Sequence, residues 1–220
     1  MFTHKPRFLF EELETIESDS KRLYKTPRGD LFPSVTTILS SMDKKGLMEW
    51  RARVGEEEAT RISTQAATRG TAIHKMCEDF LNNEDPYKDQ MPANVFTFNS
   101  IKPILEDHIN NICCQEEPLY SYYLRAAGRV DCVAEYDGRL SIIDFKTSRK
   151  PKRREWIKGY FMQTSAYAVM FEELTEIPIS KLVIIIAVDD SEPQVFVEKR
   201  DDHIGRFIQK RQIYKEIHGV

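Results

Sequence analysis

The chain's 220 residues carry 32 Lys and Arg against 35 Asp and Glu, a formal net charge of −3, and no long apolar run. That balance fits a soluble globular protein long enough for a sizeable core, taken as one domain over 1–220, and excludes a disordered or membrane-spanning chain. Because the net charge does not favour polyanions, any nucleic-acid site has to come from local clustering.

The first twenty residues hold Lys5, Arg7 and several acids but no apolar signal core. They read as neither a secretory signal nor a mitochondrial presequence. The four cysteines, Cys77, Cys113, Cys114 and Cys132, lack Cys-x-x-Cys spacing, so they read as reduced intracellular residues, with Cys77 and Cys132 packed as small hydrophobes.

Residues 1–31 suggest short strands or loop, with a turn at Pro27-Arg28-Gly29-Asp30. After Phe32–Leu39, Asp43 can cap a helix over Lys44–Val54 that places Leu47 and Trp50 on one face; Gly55 breaks it, and Glu56–Ala67 looks helical again. Arg69–Leu81 is helical by its apolar stripe of Ile73, Met76, Cys77 and Phe80, while Gly70, His74 and Glu78 form a second stripe. A helical glycine costs about 1 kcal/mol, which suggests that something passes close to Gly70. Beyond the loop Asn82–Pro92, a helix is expected over Ala93–Cys113, interrupted by Pro103, and then a strand over Pro118–Ala127. Glu155–Leu174 follows as a helix with Gln163 and Tyr167 one turn apart; Leu182–Val188 is a continuous apolar run typical of a buried central strand. Gln194–Glu198 is a second strand, and Asp201–Ile217 a closing helix. A strand–helix–strand passage in that order implies a crossover packed on a mixed sheet.

Gly128–Lys146 is the most informative stretch. Asp137-Gly138 favours a two-residue type I′ turn between β-prone flanks. If Tyr136 and Arg139 close it, Val133 faces Ile142 and Asp131 faces Asp144, with Lys146 two positions on and on the same face. Opposed carboxylates about 5 Å apart destabilise a sheet unless something positive lies between them. A hard divalent cation, Mg²⁺ or Mn²⁺, suits oxygen donors. The bland alternative is a surface hairpin with a solvated or weakly paired triad.

Four ordered pieces carry a family resemblance. Gly70-Thr-Ala-Ile-His74, Gly128-Arg-Val-Asp131, Asp144-Phe145-Lys146 and Gln163-Thr-Ser-Ala-Tyr167 resemble, in sequence order, the motifs of PD-(D/E)XK nucleases of the RecB-like branch. The stretch Pro33-Ser-Val-Thr-Thr-Ile-Leu39, followed by a helix with Trp50, is similar to the mitochondrial genome maintenance exonuclease group and its phage and bacterial relatives. The resemblance implies an α/β fold with a PD-(D/E)XK, restriction-endonuclease-like core, its mixed central sheet flanked by helices. An N-terminal helical extension, 1–63, would guide DNA onto a core over 64–220. Val130 stands where the superfamily's name has proline, and no cysteine follows Cys132, so no iron–sulfur cluster is expected.

By the same resemblance, His74, Asp131, Asp144 and the Phe145 carbonyl hold Mg²⁺ or Mn²⁺. Lys146 helps activate water, Gln163 positions the lysine or the phosphate, and Tyr167 orders the site. A lone helical histidine or a Gln–Tyr pair would otherwise be ordinary surface or packing residues. The run Lys146, Arg149, Lys150, Lys152, Arg153, Arg154 and Lys158 could be a solvated face, but its place beside the tripeptide favours a phosphate-binding rim. Arg69 is a further DNA contact; Ser34 and Thr36 could bind phosphates, and Trp50 could stack on a base or belong to the core. The implied activity is metal-dependent exonucleolytic cleavage of single-stranded DNA by a monomer, without nucleotide cofactor or membrane partner, in the cytoplasm of a bacterium or phage-infected cell. Competing readings are an endonuclease of the same superfamily and a DNA-binding module without catalysis.

Overall fold

The computed structural model describes residues 1–5, 8–18, 21–41, 44–189 and 191–219, apart from the side chains at 18, 21, 44, 45 and 47. Asp43 and the Leu47 side chain, expected to cap and to pack the second helix, lie outside that description.

The chain begins with a small antiparallel sheet, β1 (Glu14–Ser18), β2 (Lys21–Lys25) and β3 (Leu31–Pro33), in that spatial order. Gly29, at φ +85°, makes the turn between the last two, where only glycine is unstrained. Three helices follow: α1 (Val35–Ser40), α2 (Lys44–Val54) and α3 (Glu56–Leu81). Gly55, at φ +89°, separates the second from the third as expected. The two helices expected over 56–81 are one. No proline falls between them, and the modest cost of one glycine is smaller than that of leaving several backbone groups unpaired in the middle of a helix.

Helix α4 (Pro92–His108) starts with proline at its first position and ends five residues before the expected Cys113. Ile109 turns to φ −103°, ψ 133°, and the chain enters β4 (Ile109–Ser121). Asn110-Asn111-Ile112 are weak helix formers, and Asn111 takes φ +49° at a register shift between Asn110 and Cys114. The strand expected over Pro118–Ala127 is thus the end of β4, a turn, and the start of β5 (Ala126–Tyr136).

β5 pairs with β6 (Arg139–Ser148) through Asp137 and Gly138, at φ +51° and +70°, the left-handed pair a type I′ turn requires. A short 3₁₀ turn, Arg154–Trp156, leads into α5 (Lys158–Thr175), then β7 (Lys181–Val188), β8 (Gln194–Lys199) and α6 (Asp201–His218). The five-stranded sheet has the order β4-β5-β6-β7-β8 and is mixed, since β6 and β7 are parallel while the other neighbours are antiparallel.

Helices cover both faces. Val133 and Ile142 pack with Met170 and Phe171 of α5 and Phe207 and Tyr214 of α6; Ile143, Phe145 and Ile185 pack with Ile73, Met76 and Cys77 of α3 and Phe98 and Ile101 of α4. β7 has apolar side chains on both faces, which explains its unbroken apolar run. Val35 and Ile38 of α1 join the α5 side, so the N-terminal helices are attached to the sheet rather than trailing from it. Among the described residues no helix is long and apolar enough to cross a membrane.

Candidate active site

The β5–β6 ladder follows the expected register from Tyr136↔Arg139 to Cys132↔Ile143 and stops one step before Asp131 and Asp144. These two do not form a ladder pair. Asp131 Oδ2 instead accepts the Phe145 N–H at 2.9 Å, taking a hydrogen bond from β6 with its side chain. Alternation fails at the same place, because Val130 and Val133 both face the α5 side although three residues apart. On the other flank Glu116 of β4 has φ +49°, between the pairs Gln115↔Cys132 and Glu117↔Val130. The sheet opens here, and polar side chains fill the opening.

From the α3 side, His74 Nδ1 lies 3.5 Å from Asp131 Oδ2, and its ring meets Phe145 edge-on at 6.4 Å. His74, Glu116 and Asp131 each present a ligand atom within 4.8 Å of the others, the one such group of three among the described residues. From the α5 side, Gln163 Nε2 donates to Asp144 Oδ1 at 3.1 Å, and Lys146 Nζ reaches Asp144 Oδ2 at 2.5 Å. His74 and Asp131 are together, Glu116 joins them, and both oxygens of Asp144 have partners within the chain.

The electrostatics show why a cation suits the opening. Burial, followed by the charges of Asp131 and Glu78, pushes the Glu116 carboxyl up to about 8. Burial and Asp131 push Asp144 up to about 6, although Lys146 draws it down. Burial disfavours the Lys146 ammonium, but Asp144 and Asp131 outweigh that and raise it, so the amine is held protonated. Several carboxyls thus compete for too little positive charge. One imidazole with two carboxylates is a donor set that a divalent cation takes, and on this chemistry the residues fit one.

Burial raises the Tyr167 phenol well above its usual range, so it stays neutral beside Asp131 and Asp144. A Cβ on Gly128 would come within 2.7 Å of its ring, which is why that position is glycine. Beyond its own helix turn, nothing lies within 4 Å of where a Cβ on Gly70 would be; the residue borders an open cleft of about 500 Å³ with Thr71, His74, Lys75, Glu78, Glu116 and Arg129.

The expected DNA contacts divide. Arg149, Lys150 and Arg153 are exposed beside the end of β6. Thr36 is exposed and Trp50 half-buried. Ser34 is 3% exposed and caps α1, its Oγ accepting the Thr37 N–H at 2.9 Å. Arg69 is ion-paired with Asp189, and Arg154 is held by both oxygens of Glu198 at 2.5 and 2.6 Å. These three side chains have partners within the chain. The cysteines are free and buried, with Cys77 and Cys132 in the α3-side core as expected of small hydrophobes.

Sequence reasoning missed Glu116, Arg129 and Tyr160, whose ring lies 5.3 Å from Lys146 Nζ. The available signal for the first was the polar run Gln115-Glu116-Glu117 between Cys114 and Pro118.

The chain is also similar to known proteins. The chain is 30% identical over 175 residues to Mitochondrial genome maintenance exonuclease 1 of Xenopus tropicalis, covering 73% of this chain and 50% of that protein. It is 28% identical over 179 residues to the Homo sapiens protein of that name, covering 74% and 51%, and 32% identical over 130 residues to the Mus musculus one, covering 54% and 38%. The chain spans about half the length of the first two relatives. Their names are mitochondrial, and nothing in them supports the expected cytoplasm of a bacterium or phage-infected cell. Residues 96–210, which run from α4 through the hairpin and α5 into α6, match the PD-(D/E)XK nuclease superfamily, and this chain belongs to it.

Proposed function

We propose that this protein is a Mg²⁺- or Mn²⁺-dependent exonuclease that hydrolyses phosphodiester bonds in single-stranded DNA from a free end. The observation that carries the reading is the opening at Asp131, where His74 and Glu116 converge on one carboxylate while Lys146 and Gln163 hold its neighbour Asp144. In this reading His74, Glu116, Asp131 and Asp144 would hold the cation, with the Phe145 carbonyl beside them. When bound, the cation supplies Lewis acidity toward a phosphoryl oxygen and lowers the pKa of water.

The chain's own residues do the rest. Lys146, protonated and 18% exposed, directs its ammonium at the charge that develops on the phosphoryl group as water's oxygen bonds to phosphorus and the ester oxygen departs. Gln163 fixes the orientation of Asp144, and Tyr167, wedged against Gly128, closes the floor of the site to water. Arg149, Lys150 and Arg153 bind phosphates along the strand without reading sequence. Residues 1–63 act as the extension that brings the strand to the core over 64–220, with Thr36 and Trp50 as its contacts.

The test is a labelled single-stranded oligonucleotide incubated with protein in Mg²⁺ or EDTA, beside a circular single strand. Stepwise shortening of the linear strand in Mg²⁺ alone, with the circle intact, is expected. Cutting of the circle would make the enzyme an endonuclease, and cutting in EDTA would remove the metal from the account. K146A should lower the rate at least about 1000-fold while DNA binding stays measurable.

A further inference from the structure

Trp156 has no place in the roles assigned so far. Its indole is 66% exposed at the end of the 3₁₀ turn that leads into α5, and the Arg153 guanidinium lies 5.2 Å from its ring centre. A large apolar ring left in water is usually explained by what it meets there.

The turn that carries it is fixed at several points, and none uses the indole. Gln194 exchanges hydrogen bonds with the Lys152 backbone at 2.7 and 3.0 Å, Arg154 is clamped by Glu198 on β8, and Ile157, 2% exposed, packs with Phe161, Ile184 and Ile186. The backbone that carries Trp156 is therefore held in place, so little backbone ordering entropy would be lost on contact. The turn leads into the helix that lines the site: Tyr160, four residues on, lies 5.3 Å from Lys146 Nζ. Arg149, Lys150 and Lys158, which flank this stretch in sequence, are exposed, as is Glu155, and Arg153 backs the ring. An aromatic face among cations suits a strand whose bases are unstacked and whose phosphates are negative.

We propose that Trp156, backed by Arg153, is a stacking platform for an unpaired DNA base beside the active site, and that it is the source of the preference for single strands. The proposal rests on the DNA-binding part of the reading above and not on catalysis. A duplex end presents its bases already stacked and paired, so it gains only the phosphate contacts.

The test is binding of the full chain, in EDTA, to labelled oligo(dT) and to an abasic oligomer of equal length, for wild type, W156F and W156A. Wild type and W156F should prefer oligo(dT). W156A should bind oligo(dT) about 10- to 100-fold more weakly, leave abasic binding unchanged and so erase the preference. If W156A does not fold, W156L makes the same comparison. The proposal is overturned if the variant binds oligo(dT) within twofold of wild type, if it loses both ligands equally, or if wild type shows no preference. With EDTA present, a protein that stacks bases but never cuts in Mg²⁺ leaves this proposal standing and removes the nuclease reading. Normal cutting with unaltered W156A affinity does the reverse.

Discussion

Asp144 is 1% exposed and carries opposed demands: its buried carboxylate serves the site but works against the fold. Its carboxyl is raised to about 6, so the folded protein retains a proton that the unfolded chain releases near pH 4. That contribution to stability is complete below the unfolded pKa and lost as pH rises through about 6. In EDTA the stability of wild type should therefore fall as pH rises from about 4 through about 6, in denaturant melts, and D144N, which has no carboxyl to titrate there, should lose that part of the slope while leaving the buried Lys146 ammonium without its partner. The same variant should be inactive at every pH. Gly128 shows the opposite coupling, of packing to function. G128A must displace a buried tyrosine ring, so a loss of about 1–3 kcal/mol and a large fall in activity are expected in melts and cleavage assays. Retention of both would show that Tyr167 moves freely.

At the scale of elements, β5 places the site by failing to be regular. Its ladder with β6 ends at Cys132, its neighbour β4 turns left-handed at Glu116, and the free edge lets α3 reach Asp131 and α5 reach the adjacent Asp144 from opposite faces. The segment between β6 and α5 is tied to β8 by Arg154 and Glu198, and His203 Nε2 lies 3.1 Å from the same Glu198 carboxylate. Arg154, then His203, lower the Glu198 pKa. A depressed carboxyl contributes stability above its unfolded pKa near 4 and loses it as pH falls through the lower folded value. E198Q should thus cost about 1 kcal/mol at pH 7 and progressively less below pH 4, in melts across that range. An equal cost at all pH values would mean that shape, not charge, holds the turn.

For the whole molecule, the metal site and stability should be linked. Glu116, raised to about 8, and Asp144, raised to about 6, both make the metal-free protein less stable as pH climbs from 4 toward 8. Mg²⁺ or Mn²⁺ should raise the melting temperature, most strongly at the alkaline end, and E116Q should weaken that response about 10- to 100-fold in metal concentration. A melting temperature indifferent to the ion would separate these carboxyls from metal binding.

How much of this was legible beforehand depended on the range of the interaction responsible. Asp137-Gly138 determined a turn and, through it, a register correct to Cys132↔Ile143, because a two-residue loop leaves adjoining strands one pairing. The order of helices and strands after Pro92, and the family motifs at His74, Asp131, Asp144–Lys146 and Gln163–Tyr167, were likewise readable from local pattern. The helix of 56–81 and the strand start at Ile109 were not, since continuity and termination there depend on what the segment packs against. Only the tertiary structure could add Glu116 to His74 and Asp131, give Ser34 and Arg154 partners within the chain, and leave Trp156 in solvent. Those outcomes rest on contacts between residues distant in sequence, where the same side chain can be buried, paired or free according to what the rest of the chain brings to it.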